Sequence, residues 1–326
     1  MIKHPFLPQL ALSALLFAGV AADASAAIQR TFVASYGIDA GSCGVTSPCR
    51  TFGFAMAQTL SNGEIIVLDS AGYGAPVTIA QSVSIIAPPG VYAGISVFSG
   101  VGITISAGSG KVTLRGLTIN QLGGTTGIQV NSANTVYIDR VSISGFSTGL
   151  VVNTSAATTI NILQSAFRDN GSGATFTTSA GTASVSIDGS VFERNTIAGT
   201  AFGLNSVGSI VGSLFAGGGA GVNVNPASGT AKAEIRDSNI NDNTGNGVFA
   251  GGGGAATASV VSSIVSGNAV GLQATGAGNE VYASDSTITR NGIGVQATGG
   301  TTRTSTDNRL VNNTAPGAFT ATTPKS

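Results

Sequence analysis

The chain has no tryptophan, one histidine (His4) and two cysteines, and 9% of its 326 residues are charged. About 25% charged is usual for globular domains. With 14 basic and 14 acidic residues the net charge is zero, so there is no electrostatic footprint for nucleic acid or an anionic membrane. Past Val20 no apolar stretch is long enough for a membrane span, so no transmembrane helix and no membrane insertion is expected. With no histidine after His4 and two cysteines, a Cys/His metal site lacks ligands. Cys43 and Cys49 are not spaced as a C-x-x-C redox pair. In an exported chain a close, even pair reads as a structural disulfide.

Export is what the first residues suggest. Lys3 precedes an apolar run from Leu10 to Val20, and Ala24-Ser25-Ala26 follows. That is a basic region, a short apolar region and a small-x-small cleavage site, the pattern of a secretory signal peptide. Residues 1–26 are therefore read as a leader, with the mature chain secreted or periplasmic, or held at the cell surface. Lys3 and Asp23 would leave together, so the net charge stays zero.

What is abundant is glycine, 48 residues, with Ser, Thr, Ala and Asn. Such a chain is either disordered or built of short strands and tight turns, and its regular apolar positions argue against disorder. One apolar column runs Leu114, Ile138, Ile162, Ile187, Ile210, Ile235, Val260, Ala283, Thr306. Five residues on, another runs Ile119, Ile143, Phe167, Phe192, Phe215, Ile240, Val265, Ile288, Val311. The two keep register at about 24 residues per unit. A serine column lies between them (Ser165, Ser190, Ser213, Ser238, Ser263, Ser286). An asparagine column follows the second (Asn170, Asn195, Asn243, Asn268, Asn291, Asn313).

Side-chain parity turns the period into geometry. In VYIDRVSISGFSTGLVV, Val136 and Ile138 share one face, as do Val141 and Ile143. The step between the pairs breaks the alternation, so Asp139 and Arg140 both point outward at a corner. A glycine turn follows, and Leu150 and Val152 begin a third inward-facing strand. Three strands and three corners per unit make one coil of a parallel β-helix. Coils stack about 4.8 Å apart, and only the stack buries a continuous core. Phe167, Phe192 and Phe215 should stack inside. The serines should stand just inside a corner. The asparagines should occupy a left-handed turn, where Asn is tolerated. Leucine-rich repeats would need several leucines and a helical segment per unit, and a sandwich would not hold one register for so long.

An open β-helix end exposes strand edges. RTFGFAMAQTL, Arg50 to Leu60, carries Phe52, Met56 and Leu60 at helical spacing and is expected to cap the N-terminal end. Glu64–Asp69, Val83–Ile86, Ile95–Phe98 and Ile103–Ser106 are read as strands of less regular coils. The segments expected are 27–110 for cap and first coils, 111–318 for regular coils and 319–326 for a polar, frayed tail.

TFVASYGIDAGSCGVTSPCRTFGFAMAQ resembles the opening segment of secreted bacterial right-handed parallel β-helix proteins of the pectin lyase-like superfamily. It shares their strand, Gly-x-Asp turn (Gly37-Ile38-Asp39) and Pro-containing run through Thr-Phe (Pro48 to Phe52) into a short helix. The resemblance implies an all-β right-handed parallel β-helix, with three strands per coil and a capping helix. For activity it implies lyases with clustered carboxylates holding calcium and an Arg or Lys base, or hydrolases with several aspartates and a Gly-His-Gly. The hydrolase pattern fails for want of histidine.

Two carboxylates can still hydrolyse a glycoside. Asp139 and Asp188 fall in the outward corner column two coils apart, roughly 10 Å along the axis, the loose end for an inverting pair. Arg140 adjoins Asp139. Asp169 and Arg194 lie beside the asparagine column. These five are the candidate catalytic residues, and the simplest account of them is solvated ion pairs between neighbouring coils. Asn241-Asp242-Asn243 makes Asp242 the one candidate metal ligand, although a calcium site prefers three or four converging oxygens. No cofactor is expected, with calcium implied only under the lyase alternative. The reading is a monomeric secreted protein that binds polysaccharide, a cell-surface glycan or another surface partner without catalysis. The alternatives are a divergent polysaccharide lyase or glycoside hydrolase, or a structural, self-associating surface protein.

Overall fold

The computed structural model describes Met1 and residues 27–74 and 76–323. Apart from Met1, the segment read as a leader lies outside the described residues, as do the last residues of the tail.

The chain winds into a right-handed parallel β-helix with three sheets. A long sheet has 13 strands, and the two others have 11 each. Among the described residues, neighbouring strands in each sheet come from successive coils and pair in parallel. A representative coil contributes Thr135–Asp139 to the long sheet, Ser142–Ser144 to a narrow sheet of mostly three-residue strands, and Thr148–Thr154 to the third sheet. The apolar columns pair in the expected register: Leu114, Ile138 and Ile162 in the long sheet, and Ile119, Ile143 and Phe167 in the narrow one. All six are fully buried.

The corners are set by single residues in the left-handed region. Between the long and narrow sheets these are Arg140 (φ 51°), Gln164, Gly189, Gly212, Asp237, Ser262 and Asp285. A non-glycine residue there is strained by its Cβ. After every one of these but Arg140, which precedes Val141, a buried serine follows and offsets that cost. Each Ser Oγ donates to the carbonyl two residues before it, as Ser213 does to Val211 O at 2.9 Å. It also accepts the N–H of the equivalent residue one coil earlier, as Ser213 does from Ser190 at 3.2 Å. The chain of such bonds runs through Ser165, Ser190, Ser213, Ser238, Ser263 and Ser286, and ends on Asn308 Oδ1.

The second corner corrects one expectation. The asparagines are not left-handed, and all but the half-buried Asn313 are buried. The residue before each takes that conformation: Asp169 (φ 59°), Arg194, Asp242, Gly267, Arg290 and Asn312. The Asn amide points inward and bonds along the stack. Asn268 Nδ2 donates to Ile240 O on the previous coil at 3.0 Å and to Asn291 Oδ1 on the next at 3.0 Å. The ladder lapses at Gly218, whose N–H still donates to Asn243 Oδ1.

The last coil also departs from expectation. Ala283 pairs with Thr304, and Ile288 with Leu310, rather than with Thr306 and Val311. Thr306 instead takes a left-handed turn (φ 70°), so this corner is one residue longer than the one before it, and Asn313 then resumes its ladder. The polar tail is not wholly frayed, because Ala321–Thr322 still pairs with the long sheet.

At the N-terminal end the helix is Phe52–Gln58, shorter than Arg50–Leu60. Its cap Thr51 accepts from Phe54 N. Thr59 turns extended and starts the strand Thr59–Val67, so Leu60 is exposed in a strand rather than packed in a helix. The Asp39 carboxylate accepts the N–H groups of Arg50 and Thr51 at 2.8 and 2.9 Å, which explains the Gly-x-Asp turn. Cys43 and Cys49 are joined and buried, and the loop they close pairs with Val33 at the edge of the long sheet.

Candidate functional site

The acidic and basic residues singled out from sequence fall in two separate places. At the long-to-narrow corner, Asp139 is half-buried and accepts from Arg115 Nε at 2.7 Å and from Arg140 Nη2 at 3.5 Å. Asp188 lies two strands on in the same outward column, with Leu163 between, and is exposed. Asp139 is thus committed to two guanidinium groups, and Asp188 is not brought to it. At the second corner Arg194 grips Asp169 through two bonds of 2.7 and 2.9 Å. That hydrogen bond holds the Asp169 carboxyl below its ordinary range despite some burial. Arg168 and Glu193, in register beside them, form a second pair at 2.8 Å. Both corners are rungs of opposite charge on a solvated surface. Asp242 is exposed, and its Oδ1 lies where a Cβ on Gly267 would stand, 2.0 Å away. Among the described residues no three metal-ligating side chains converge.

The cavity lies elsewhere, on the outer face of the long sheet. It holds about 470 Å³ and is lined by strands from Thr159 to Ser259. Its floor is legible in the pairing. One outward column runs Tyr137, Asn161, Ser186, Ser209, Glu234, Ser259, Tyr282, each opposite the next. Beside it runs Thr159, Ser184, Val207, Lys232, Thr257. Short side chains between two tyrosines leave an open trough along the helix axis. Ser184, Ser186, Val207, Ser209 and Lys232 are exposed in it. Beneath the floor Gly208 has no side chain to fill the core, and the Phe202 ring occupies the space, 2.3 Å from where a Cβ would be. Two charged residues line the trough, Lys232 and Glu234. Glu234 is paired with Arg236, whose Nε donates to it at 2.6 Å.

None of these residues was among the sequence candidates. The signal was present, since Tyr137 and Tyr282 stand one position before members of the first apolar column, Ile138 and Ala283. A search for charge clusters passes over hydroxyls and tyrosines.

The model of the right-handed β-helix region family matches residues 101–288. The chain belongs to the right-handed β-helix family. That span takes in most of the regular coils and the whole trough of this β-helix protein. A solved structure titled as pectate lyase Pel9A is similar, with a TM-score of 0.55 at 14% identity, over 93% of this chain and 80% of that one. At that identity the likeness shows the fold alone. No curated protein matches.

Proposed function

We propose that this β-helix protein binds an extended polysaccharide in the trough on its long sheet and does not cleave it. The observation that carries the reading is the trough itself: an open, hydroxyl-rich channel crossing five strands of a rigid sheet. Sugar hydroxyls need matching donors and acceptors, and Ser184, Ser186, Ser209 and Ser259 offer both on a pre-formed surface. The likeness to a pectate lyase agrees with a polysaccharide-related role. Cleavage would require a general acid and base within reach of one glycosidic bond. The trough's carboxylate, Glu234, is engaged by Arg236, and Asp139 by Arg115 and Arg140. The protein acts as a secreted or periplasmic monomer. The buried disulfide suits an oxidising compartment, and the absence of net charge gives it no pull toward nucleic acid.

The test is a glycan array of residues 27–326, followed by product analysis on every glycan retained. Retention of intact polysaccharide is expected, unchanged by Asp139→Ala or Arg140→Ala. Release of unsaturated sugars from a polyuronate, abolished by those substitutions, would replace this reading with a lyase.

A further inference from the structure

Tyr137 and Tyr282 stand at the two ends of the trough, in one outward column, and the five strands between them are those that line it. In that column the residues between are Asn161, Ser186, Ser209, Glu234 and Ser259, all shorter than tyrosine. Six inter-strand steps separate the two rings, about 29 Å at 4.8 Å per step. Resting on the reading of the trough as a polysaccharide site, we infer that its ligand is an uncharged glycan, lying along the helix axis and spanning the seven rungs from Tyr137 to Tyr282. Its terminal rings pack against Tyr137 and Tyr282.

Three features point this way. A sugar ring in an extended chain is about as long as the roughly 4.8 Å between strands, so successive units can lie over successive outward side chains. The rings at the two ends offer apolar faces to the C–H faces of sugars, with hydroxyls able to bond outward. Lys111 Nζ lies 4.9 Å from the Tyr137 ring centroid and holds that ring across its strand. The third feature is charge. The outward residues of the five strands carry Asp188 and Glu234 against Lys232 and Arg236, so the floor is neutral, and the Glu234–Arg236 pair neutralises itself. A polyuronate would bring about one carboxylate per rung. Two cations without an ion pair among the described residues meet this footprint, Lys232 in the lining and Lys111 at the Tyr137 ring, too few to receive them.

The experiment titrates the protein with neutral cello-, xylo- and manno-oligosaccharides of two to eight units, and with oligogalacturonides of the same lengths with and without calcium. Calorimetry is the readout, joined by intrinsic tyrosine fluorescence, which no tryptophan obscures. At least one neutral series should gain affinity with length until about seven units and then level off. Tyr137→Ala and Tyr282→Ala should each weaken the longest oligomers by about two- to ten-fold and leave the trimer unchanged. Ser209→Phe, an exposed substitution that fills the middle of the trough, should abolish binding of long oligomers while the far-ultraviolet circular dichroism stays the same. Affinity that levels off at two or three units, or that ignores both tyrosine substitutions while Ser209→Phe still blocks it, overturns the inference and leaves the trough as the binding site. Preference for oligogalacturonides does the same. Binding of neither class, or binding indifferent to Ser209→Phe, removes the proposed function and the inference with it.

Discussion

The rings of Phe167 and Phe192 stack face to face inside the helix, centroids 4.8 Å apart and planes 2° from parallel. Phe215 continues the stack beyond Phe192 at 4.9 Å. The spacing matches the rise between coils. Packing here is one-dimensional: Phe192 has a ring on either side, and Ile143 and Ile240 continue the column beyond Phe167 and Phe215. Phe192→Ala removes the middle ring and leaves both neighbours facing a void. Loss of a buried phenylalanine costs about 3–5 kcal/mol. Because stability in a solenoid is shared between neighbouring repeats, the void should divide the stack as well as weaken it. Urea unfolding that goes from one transition to two, with hydrogen exchange fastest around residues 167–215, is the expected outcome. One transition at an unchanged midpoint would refute it.

The serine ladder predicts a different kind of loss. Ser213 Oγ accepts the Ser190 N–H and donates to Val211 O, all within a buried corner. Ser213→Ala leaves almost no cavity, but strands the buried Ser190 N–H, while the Val211 carbonyl keeps the Gly189 N–H. An unpaired buried polar group costs about 1–3 kcal/mol. Ser213→Thr would keep the hydroxyl and should recover part of the loss if the ladder can seat a methyl group. The check is the denaturation midpoint of both variants against the unsubstituted protein, with alanine below threonine.

Much of the fold is visible in the sequence because each coil writes the same physical constraints again. Inward positions must be apolar, so Ile138 and Ile143 can be recognised and aligned with their counterparts. Two details escape that logic. Adjacent residues such as Asp169 and Asn170 are both polar, so nothing local says which is left-handed. The structure decides it by giving the asparagine amide its bonds inside the stack, which leaves the residue before it to turn the corner. The slip at Thr304 is hidden because threonine and serine surround it and no apolar marker fixes the register. The trough is harder still. Nothing about Ser209 alone marks a site, and it becomes one only when its column is read from Tyr137 to Tyr282.

The cap should depend on its disulfide. The Cys43–Cys49 loop hydrogen-bonds to both sides of Phe32, through Phe32 N to Cys43 O and Cys49 N to Phe32 O. It thereby covers the first edge of the long sheet. Closing a loop with a sequence separation of 6 constrains the unfolded chain by about 2 kcal/mol. Cys43→Ser with Cys49→Ser should lower the thermal midpoint by an amount that dithiothreitol reproduces in the unsubstituted protein. Because the freed edge can pair with another chain, the double variant should also form oligomers at high concentration, visible by light scattering. A variant that stays monomeric with an unchanged midpoint would mean that the helix alone suffices as the cap.

Asp69 gives the same cap a pH dependence. Its carboxylate accepts the Ser35 N–H at 2.7 Å, the Ser35 hydroxyl and the Tyr73 hydroxyl. Burial pushes the carboxyl up, but these donors outweigh it and hold it below the ordinary carboxylate range. Tyr73 is raised, by burial first and then by its bond to Asp69. The signs are opposite. An acid with a lowered folded value contributes stability above its unfolded value, about 3.9, and loses it as pH falls through the folded value. Tyr73, with a raised folded value, contributes below its unfolded value, about 10, and the contribution falls away as pH rises through the folded one. Hydrogen exchange of the cap amides, Phe32 to Cys49, normalised for the intrinsic chemical rate, should therefore be slowest in between and accelerate at both extremes. Asp69→Asn removes the acid arm and weakens the hold on Tyr73. In that variant the acid-side acceleration should vanish and protection at neutral pH should fall. If the variant instead keeps the full acid-side response, Asp69 is not the group that gives the cap its pH dependence.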